Sequence, residues 1–159
     1  MAITFEMIFE HYKELMTKDG FPINPRCYYG GTFNSVRTYG RCWNKVKITI
    51  NKSLPISTSP ETIVHELIHT IKECNGHDSK FQYWARKANR MYGMEIGTYA
   101  NEREKEAFRK VVKPKYVITC SKCGKVIATR YRECKITKHP EIYHSSCCKA
   151  KLNVSRETL

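Results

Sequence analysis

Ser59-Pro60-Glu61-Thr62-Ile63-Val64-His65-Glu66-Leu67-Ile68-His69-Thr70 is the stretch on which the reading of the whole chain turns. Two histidines four positions apart lie one turn apart on the same face of a helix, so both imidazoles can reach one ion. Glu66 stands beside them, placed to take a proton from a water polarised by that ion. Ile63, Val64, Leu67, Ile68 and Ile71 make the helix apolar around most of its circumference, which predicts burial. Two imidazoles and a carboxylate inside a core need partners, and a metal supplies them. A helix carrying two surface histidines, the plainer alternative, does not suit so apolar a segment.

A catalytic zinc takes three protein ligands and keeps one position open. Glu73 continues the histidine series by another turn, but an ion between His65 and His69 lies too far along the axis for it, so Glu73 is read as supporting or surface. His77 follows the turn at Gly76 and can fold back toward the ion. The gap between His69 and His77 lacks the spacing and internal glycine of the metzincin pattern. The expected centre is therefore a zinc held by His65, His69 and His77, with Glu66 as general base.

Around this motif the signals are local and readable. Thr58 with Glu61 has capping-box spacing, or Ser59 caps with Pro60 at the first helical position, and the helix should run to Asn75-Gly76. Asp78 can cap a second helix with Phe81, Trp84, Ala85, Ala88 and Met91 on its apolar face, stopped by Gly93. Upstream, Phe5, Ile8, Tyr12 and Leu15 predict an opening helix that ends at Asp19-Gly20. Between Arg26 and Asn51, Val46, Ile48 and Ile50 alternate with Lys47 and Thr49, predicting a small antiparallel sheet. Downstream, Asn101 can cap a charged helix leading to Pro114. The expected organisation is a domain over 1–100, a connector helix over 101–114 and a terminal module over 115–159.

That terminal module carries most of the cysteine and charge signal. The first twenty residues lack a basic leader followed by an apolar run, and no stretch is apolar enough to span a bilayer, so an intracellular protein with no membrane partner is expected. In a reducing compartment, Cys120-Ser-Lys-Cys123-Gly124 reads as a zinc knuckle rather than half of a disulfide framework. His144, Cys147 and Cys148 offer the other half, with His144–Cys147 and His144–Cys148 both open as pairings; Cys134 and His139 are less well placed. Cys27, Cys42 and Cys74 read as small buried residues. From Arg103 to the end there are 15 Lys and Arg against 5 Asp and Glu, out of a net charge of +13. A basic surface gathered on one module is the footprint of phosphate contact, and Tyr116, Tyr131 and Tyr143 lie among its cations.

His65-Glu66-Leu67-Ile68-His69 followed by Gly76-His77 and Phe81, with Gly40-Arg41-Cys42 and the strand KVKITIN upstream, resembles the SprT-like metalloprotease family. The resemblance covers about residues 1–95. It implies an α+β fold with a small antiparallel sheet and a zincin-type active-site helix, followed by a zinc-ribbon-like module. It also implies two zinc ions, one catalytic and one structural, and peptidase action on proteins associated with or crosslinked to DNA. Members of the family often close with a zinc-binding module ending C-x-G-x-L or similar, and some show a histidine shortly before that cysteine; on that likeness the structural zinc takes Cys120, Cys123, His144 and Cys148, with Cys147 as the rival. Two other classes stay open: a non-catalytic zinc protein that binds DNA, and a zinc hydrolase of small molecules.

Overall fold

Residues 2–157 are described by the structure, a computed structural model; Met1, Thr158 and Leu159, at the ends of the expected domain ranges, lie outside the described residues. The backbone divides into two compact units, Met1–Val111 and Val112–Leu159.

In the first unit, helix α1 (Phe5–Lys18) starts where Thr4 Oγ1 accepts the Met7 N–H and ends at Asp19, ahead of Gly20 in the left-handed region. Its buried stripe is Phe9 and Met16, so the expected face of Phe5, Ile8, Tyr12 and Leu15 is its half-buried flank. Strands β1 (Tyr28–Phe33), β2 (Gly40–Trp43) and β3 (Lys47–Asn51) form one sheet in the order β1-β3-β2. Only the β2–β3 pair is antiparallel; β1 joins β3 in parallel, so the sheet is mixed. The reason is long-range: the chain leaving β1 crosses the end of the sheet and β3 then inserts between the two earlier strands. Buried Asn51 holds that crossing, its Nδ2 donating to the carbonyls of Ser35 and Thr38 at 2.7 Å each. As the central strand, β3 buries Thr49 and Asn51 as well as Ile48 and Ile50.

Helix α2 (Ser59–His69) packs on α1, β2 and β3 and is buried around most of its surface, as its apolar pattern requires. Neither expected cap is made: Thr58 and Ser59 hydroxyls donate instead to the carbonyls of Pro55 and Ile56 in the preceding 3-10 turn. The helix also stops at His69 rather than near Gly76, through tightened turns in which Thr70 and Ile71 N–H groups bond Leu67 and Ile68 carbonyls. Helix α3 (Ser79–Tyr92) obeys its local signals, with Asp78 Oδ1 accepting the Phe81 N–H at 2.9 Å and Gly93 closing it at φ 66°. Phe81, Ala85 and Ala88 form its buried face, while Trp84 packs on Phe21 and Met91 is exposed.

The segment read as a connector forms α4 (Glu102–Val111) and packs within the first unit. Asn101 and Glu104 exchange reciprocal capping bonds of 2.9 and 3.0 Å, Thr62 Oγ1 donates to Glu104 at 2.7 Å, and Phe108 lies on Tyr39. In the second unit, strands β4 (Tyr116–Cys120), β5 (Val126–Arg130) and β6 (Leu152–Arg156) make an antiparallel sheet in the order β5-β4-β6. A single helical turn, α5 (Lys135–Lys138), and a 3-10 turn lead back to β6.

Candidate metal centres

The early end of α2 brings His77 to the histidine pair. Left-handed Gly76 (φ 77°) reverses the chain after α2, and Asp78, anchored at the start of α3, also accepts the Asn75 N–H at 2.9 Å. The three Nε2 atoms stand 3.1 Å (His65–His69), 3.2 Å (His69–His77) and 3.0 Å (His77–His65) apart. Nitrogens about 2.0–2.1 Å from a tetrahedral ion would be separated by about 3.3 Å, so this donor set suits zinc. Phe81 forms a common floor, its ring centroid 4.6–4.8 Å from all three imidazoles. The Gly97 backbone hydrogen-bonds the His65 ring and fixes its orientation, as metal-ligating histidines usually require. Glu73 is exposed and outside the cluster.

Electrostatics favours the ligating protonation state. Burial, then the neighbouring His69 and His77, push His65 down to about 3; burial and then His77 bring His69 to about 4, and burial lowers His77. The imidazoles are neutral near pH 7, the form that binds metal. Glu66 is 7% exposed and burial pushes its carboxyl up to about 8. Its side chain lies against Gly40: a Cβ there would come within 2.7 Å of Glu66 Oε1 and Cγ. The glycine of β2 is thus the space that Glu66 occupies.

These shifts predict a stability profile for protein stripped of metal at the histidines. The histidines' depressed pKa values give stability that is complete above about 6.5 and lost as pH falls toward 4. The raised pKa of Glu66 gives stability that is complete below about 4.5 and lost as pH rises through about 8. Two or more histidines outweigh one carboxyl in the acid range, so stability should peak near pH 6.5 and fall on both sides. Trp43 and Trp84 both lie in the first unit, and thermal melting followed by their fluorescence reads this directly. A melting temperature that rises steadily from pH 7 to pH 5 would contradict the assignment.

Two clefts open on the centre, and His65, Glu66 and Gly40 line both. One, of about 350 Å³, runs past Thr38, Gly97 and Tyr99; the other, of about 610 Å³, runs along Gly40–Lys45 to His77. β2 is an edge strand, with its outer backbone edge unpaired in the sheet. Trp43, 53% exposed, stands in the second cleft, and Tyr99, 82% exposed, in the first.

In the second unit the sulfur atoms of Cys120, Cys123, Cys147 and Cys148 lie within 4.8 Å of one another. This cluster differs from the expected set at one position: Cys147 lies in it and His144 does not. His144 forms a β-bridge with Lys151 and is exposed, while the turn beyond it carries both thiols inward toward the first knuckle. Buried Ser145 closes that turn: its N–H reaches the Ala150 carbonyl at 2.8 Å, and its Oγ accepts the Ala150 N–H and contacts Cys120 Sγ at 3.2 Å. Lys149 takes the left-handed position, as Gly124 does in the first knuckle. The Ser145 contact and then the Cys123 N–H lower Cys120 to about 6; the Cys123 thiol and burial push Cys148 up to about 12. Four crowded sulfurs that cannot all ionise alone suit a soft divalent cation such as zinc. Cys134 and His139 lie outside the group, Cys134 heading α5 and His139 paired with Glu141. Cys27 and Cys74 are buried, Cys42 half-buried, and all eight cysteines are free thiols.

An HExxH helix with a third histidine folded back from the next turn, on an α+β frame, defines a zincin-type centre. The family model of the SprT-like family matches residues 6–100, and the chain belongs to that family, which is metallopeptidase-like in general. No curated protein matches the chain. Sequence reasoning did not pick out the packing of Gly40 on Glu66 or the bonds from Lys45 to the Ile71 and Cys74 carbonyls. The Asn44-Lys45 turn dipeptide was the one local signal that could have drawn attention to the second.

Proposed function

We propose that the chain is a zinc-dependent endopeptidase acting on proteins bound or crosslinked to DNA, with Glu66 as its general base. The observation that carries the reading is the buried Glu66 carboxyl beside three converging imidazoles, where two open clefts meet. Zinc held by His65, His69 and His77 would polarise a substrate carbonyl and make water a stronger acid. Glu66 takes the proton from the attacking water on its carboxylate and delivers it to the departing amine. The unpaired edge of β2 suits an extended polypeptide, which can add its backbone as a further strand while Trp43 and Tyr99 meet side chains on either side. A purely structural zinc is closed by four protein ligands, whereas the histidine group offers three. The clefts are open on both sides, which suits a chain better than a small molecule.

The four-cysteine centre takes the second, structural zinc in this reading. The DNA partner is supported by charge: residues 112–159 hold 11 Lys and Arg against 3 Asp and Glu. Tyr116 stands in register with Arg130 on one neighbouring strand and Arg156 on the other, a pairing of ring and guanidinium suited to bases and phosphates. An intracellular location follows from this reading of substrate and thiols. Among the described residues no helix is long and apolar enough to cross a membrane.

The test is cleavage of a DNA-binding protein by zinc-loaded chain, with and without DNA, at about 50 and 200 mM salt. DNA should accelerate cleavage at low salt and lose that effect at higher salt, where binding through six or more phosphates weakens by about 10³-fold or more. Cleavage indifferent to DNA at both salt levels would remove DNA from the proposal and leave the peptidase.

A further inference from the structure

We infer that Lys45 is a positioning residue for the histidine centre, holding the backbone that delivers His77. The β2–β3 hairpin turns at Asn44-Lys45, both left-handed at φ 50° and 60°, with the Val46 N–H on the Trp43 carbonyl at 3.0 Å. Hairpins of this kind favour glycine at the second position, because a side chain there is strained. Lysine in that place has another use. Its Nζ crosses to the segment after α2 and donates to the carbonyls of Ile71, at 2.9 Å, and Cys74, at 2.5 Å.

Both carbonyls lie just past the end of α2 at His69, in the loop that leads to His77, and the Ile71 carbonyl also accepts the Cys74 N–H at 3.1 Å. A cation at the C-terminal end of a helix also meets the favourable end of its dipole. The lysine backbone is itself fastened: Asn24 Nδ2 donates to the Lys45 carbonyl at 3.0 Å, and the Asn24 N–H donates to Thr70 Oγ1 at 3.2 Å. The hairpin, the approach to β1 and the end of α2 are thus one hydrogen-bonded assembly around the ammonium.

His77 depends on that assembly more than its two partners do. His65 and His69 are carried by a helix locked in the core, whereas His77 is exposed and stands three residues beyond Cys74. Lys45 fixes the near end of this short span and Asp78 the far end. Lys45 therefore sets metal affinity through the loop, without touching the ion. Groups that orient metal ligands typically change affinity by about 10–100-fold when removed.

The test is zinc competition against a chromophoric chelator on the full chain, with the four-cysteine centre loaded as an internal reference. Lys45→Met should weaken the histidine centre about 10–100-fold and leave the cysteine centre unchanged. The same substitution in a His77→Ala background should have little further effect, because the ligand through which Lys45 acts is gone. Equal losses in both backgrounds would mean a merely structural role and overturn the inference, as would Lys45→Met affinity within twofold of wild type. Should Lys45→Met not fold, Lys45→Arg and Lys45→Gln grade the same effect, arginine keeping a charged donor of a different shape and glutamine only a shorter neutral one. Affinity falling from lysine through arginine to glutamine supports it, and wild-type affinity in Lys45→Gln overturns it. The inference rests on the histidines holding metal, not on peptidase activity. Wild-type protein that takes zinc at the cysteines alone would overturn that reading and this inference together; the Lys45 variants test this inference alone.

Discussion

Glu66→Gln should abolish most peptidase activity, by about 10²–10⁴-fold in kcat, while zinc content stays that of the wild type. Glutamine has nearly the volume of glutamate, so it fits the space that Gly40 leaves beside α2. The three imidazoles do not depend on the carboxylate, because Phe81, the Gly97 backbone and the loop through Gly76 hold them. What the amide loses is the ability to accept a proton. The expected loss corresponds to about 3–5 kcal/mol in the barrier, comparable to the removal of other general bases. Steady-state kinetics with parallel metal analysis checks it. Full activity in this variant would remove Glu66 from the chemistry. Lost zinc would instead make its role structural, with the carboxylate supporting the metal site.

The second large effect separates Cys147 from His144. Cys147→Ser should release one zinc and unfold the second unit, whereas His144→Ala should keep both the zinc and the fold. The second unit has about 50 residues, and among its described apolar side chains Ile118, Cys120 and Leu152 are the buried ones. A core of that size does not hold a fold without a staple. A structural zinc contributes apparent binding free energy on the order of 10–16 kcal/mol, far more than the core can replace. His144 has no comparable task, being exposed and engaged through its backbone with Lys151. Zinc stoichiometry and the amide spectrum of the second unit give the readout. Loss of zinc in His144→Ala with retention in Cys147→Ser would restore the histidine-containing ligand set and refute the four-sulfur centre.

Why the sulfur cluster departs from the expected ligand set at one position and matches it at others is a matter of distance along the chain. Cys120-x-x-Cys123 is a local turn with glycine behind it, and its geometry follows from its spacing. Across the other knuckle, spacing alone admits His144 with either cysteine. The choice falls to the bond from Ser145 to Ala150 and the bridge from His144 to Lys151, which exist only once β6 pairs with β4. The same division appears in the sheet: alternation marks β3, but no local signal says that β3 will lie between β1 and β2.

By itself, the sequence determined the features written into single turns and single helix faces. Asp78 and Gly93 bound α3, Asn101 and Glu104 start α4, and His65, Glu66 and His69 share one buried helix because a period of 3.6 residues puts them there. Only the tertiary structure decided where α2 ends, what space Glu66 has, and how His77 returns to the pair. Each of those is set by a group remote in sequence: Thr70 meets Asn24, Glu66 fills the space at Gly40, and the carbonyls before His77 meet Lys45. The helix supplies two histidines by its own periodicity, whereas the third is delivered by packing.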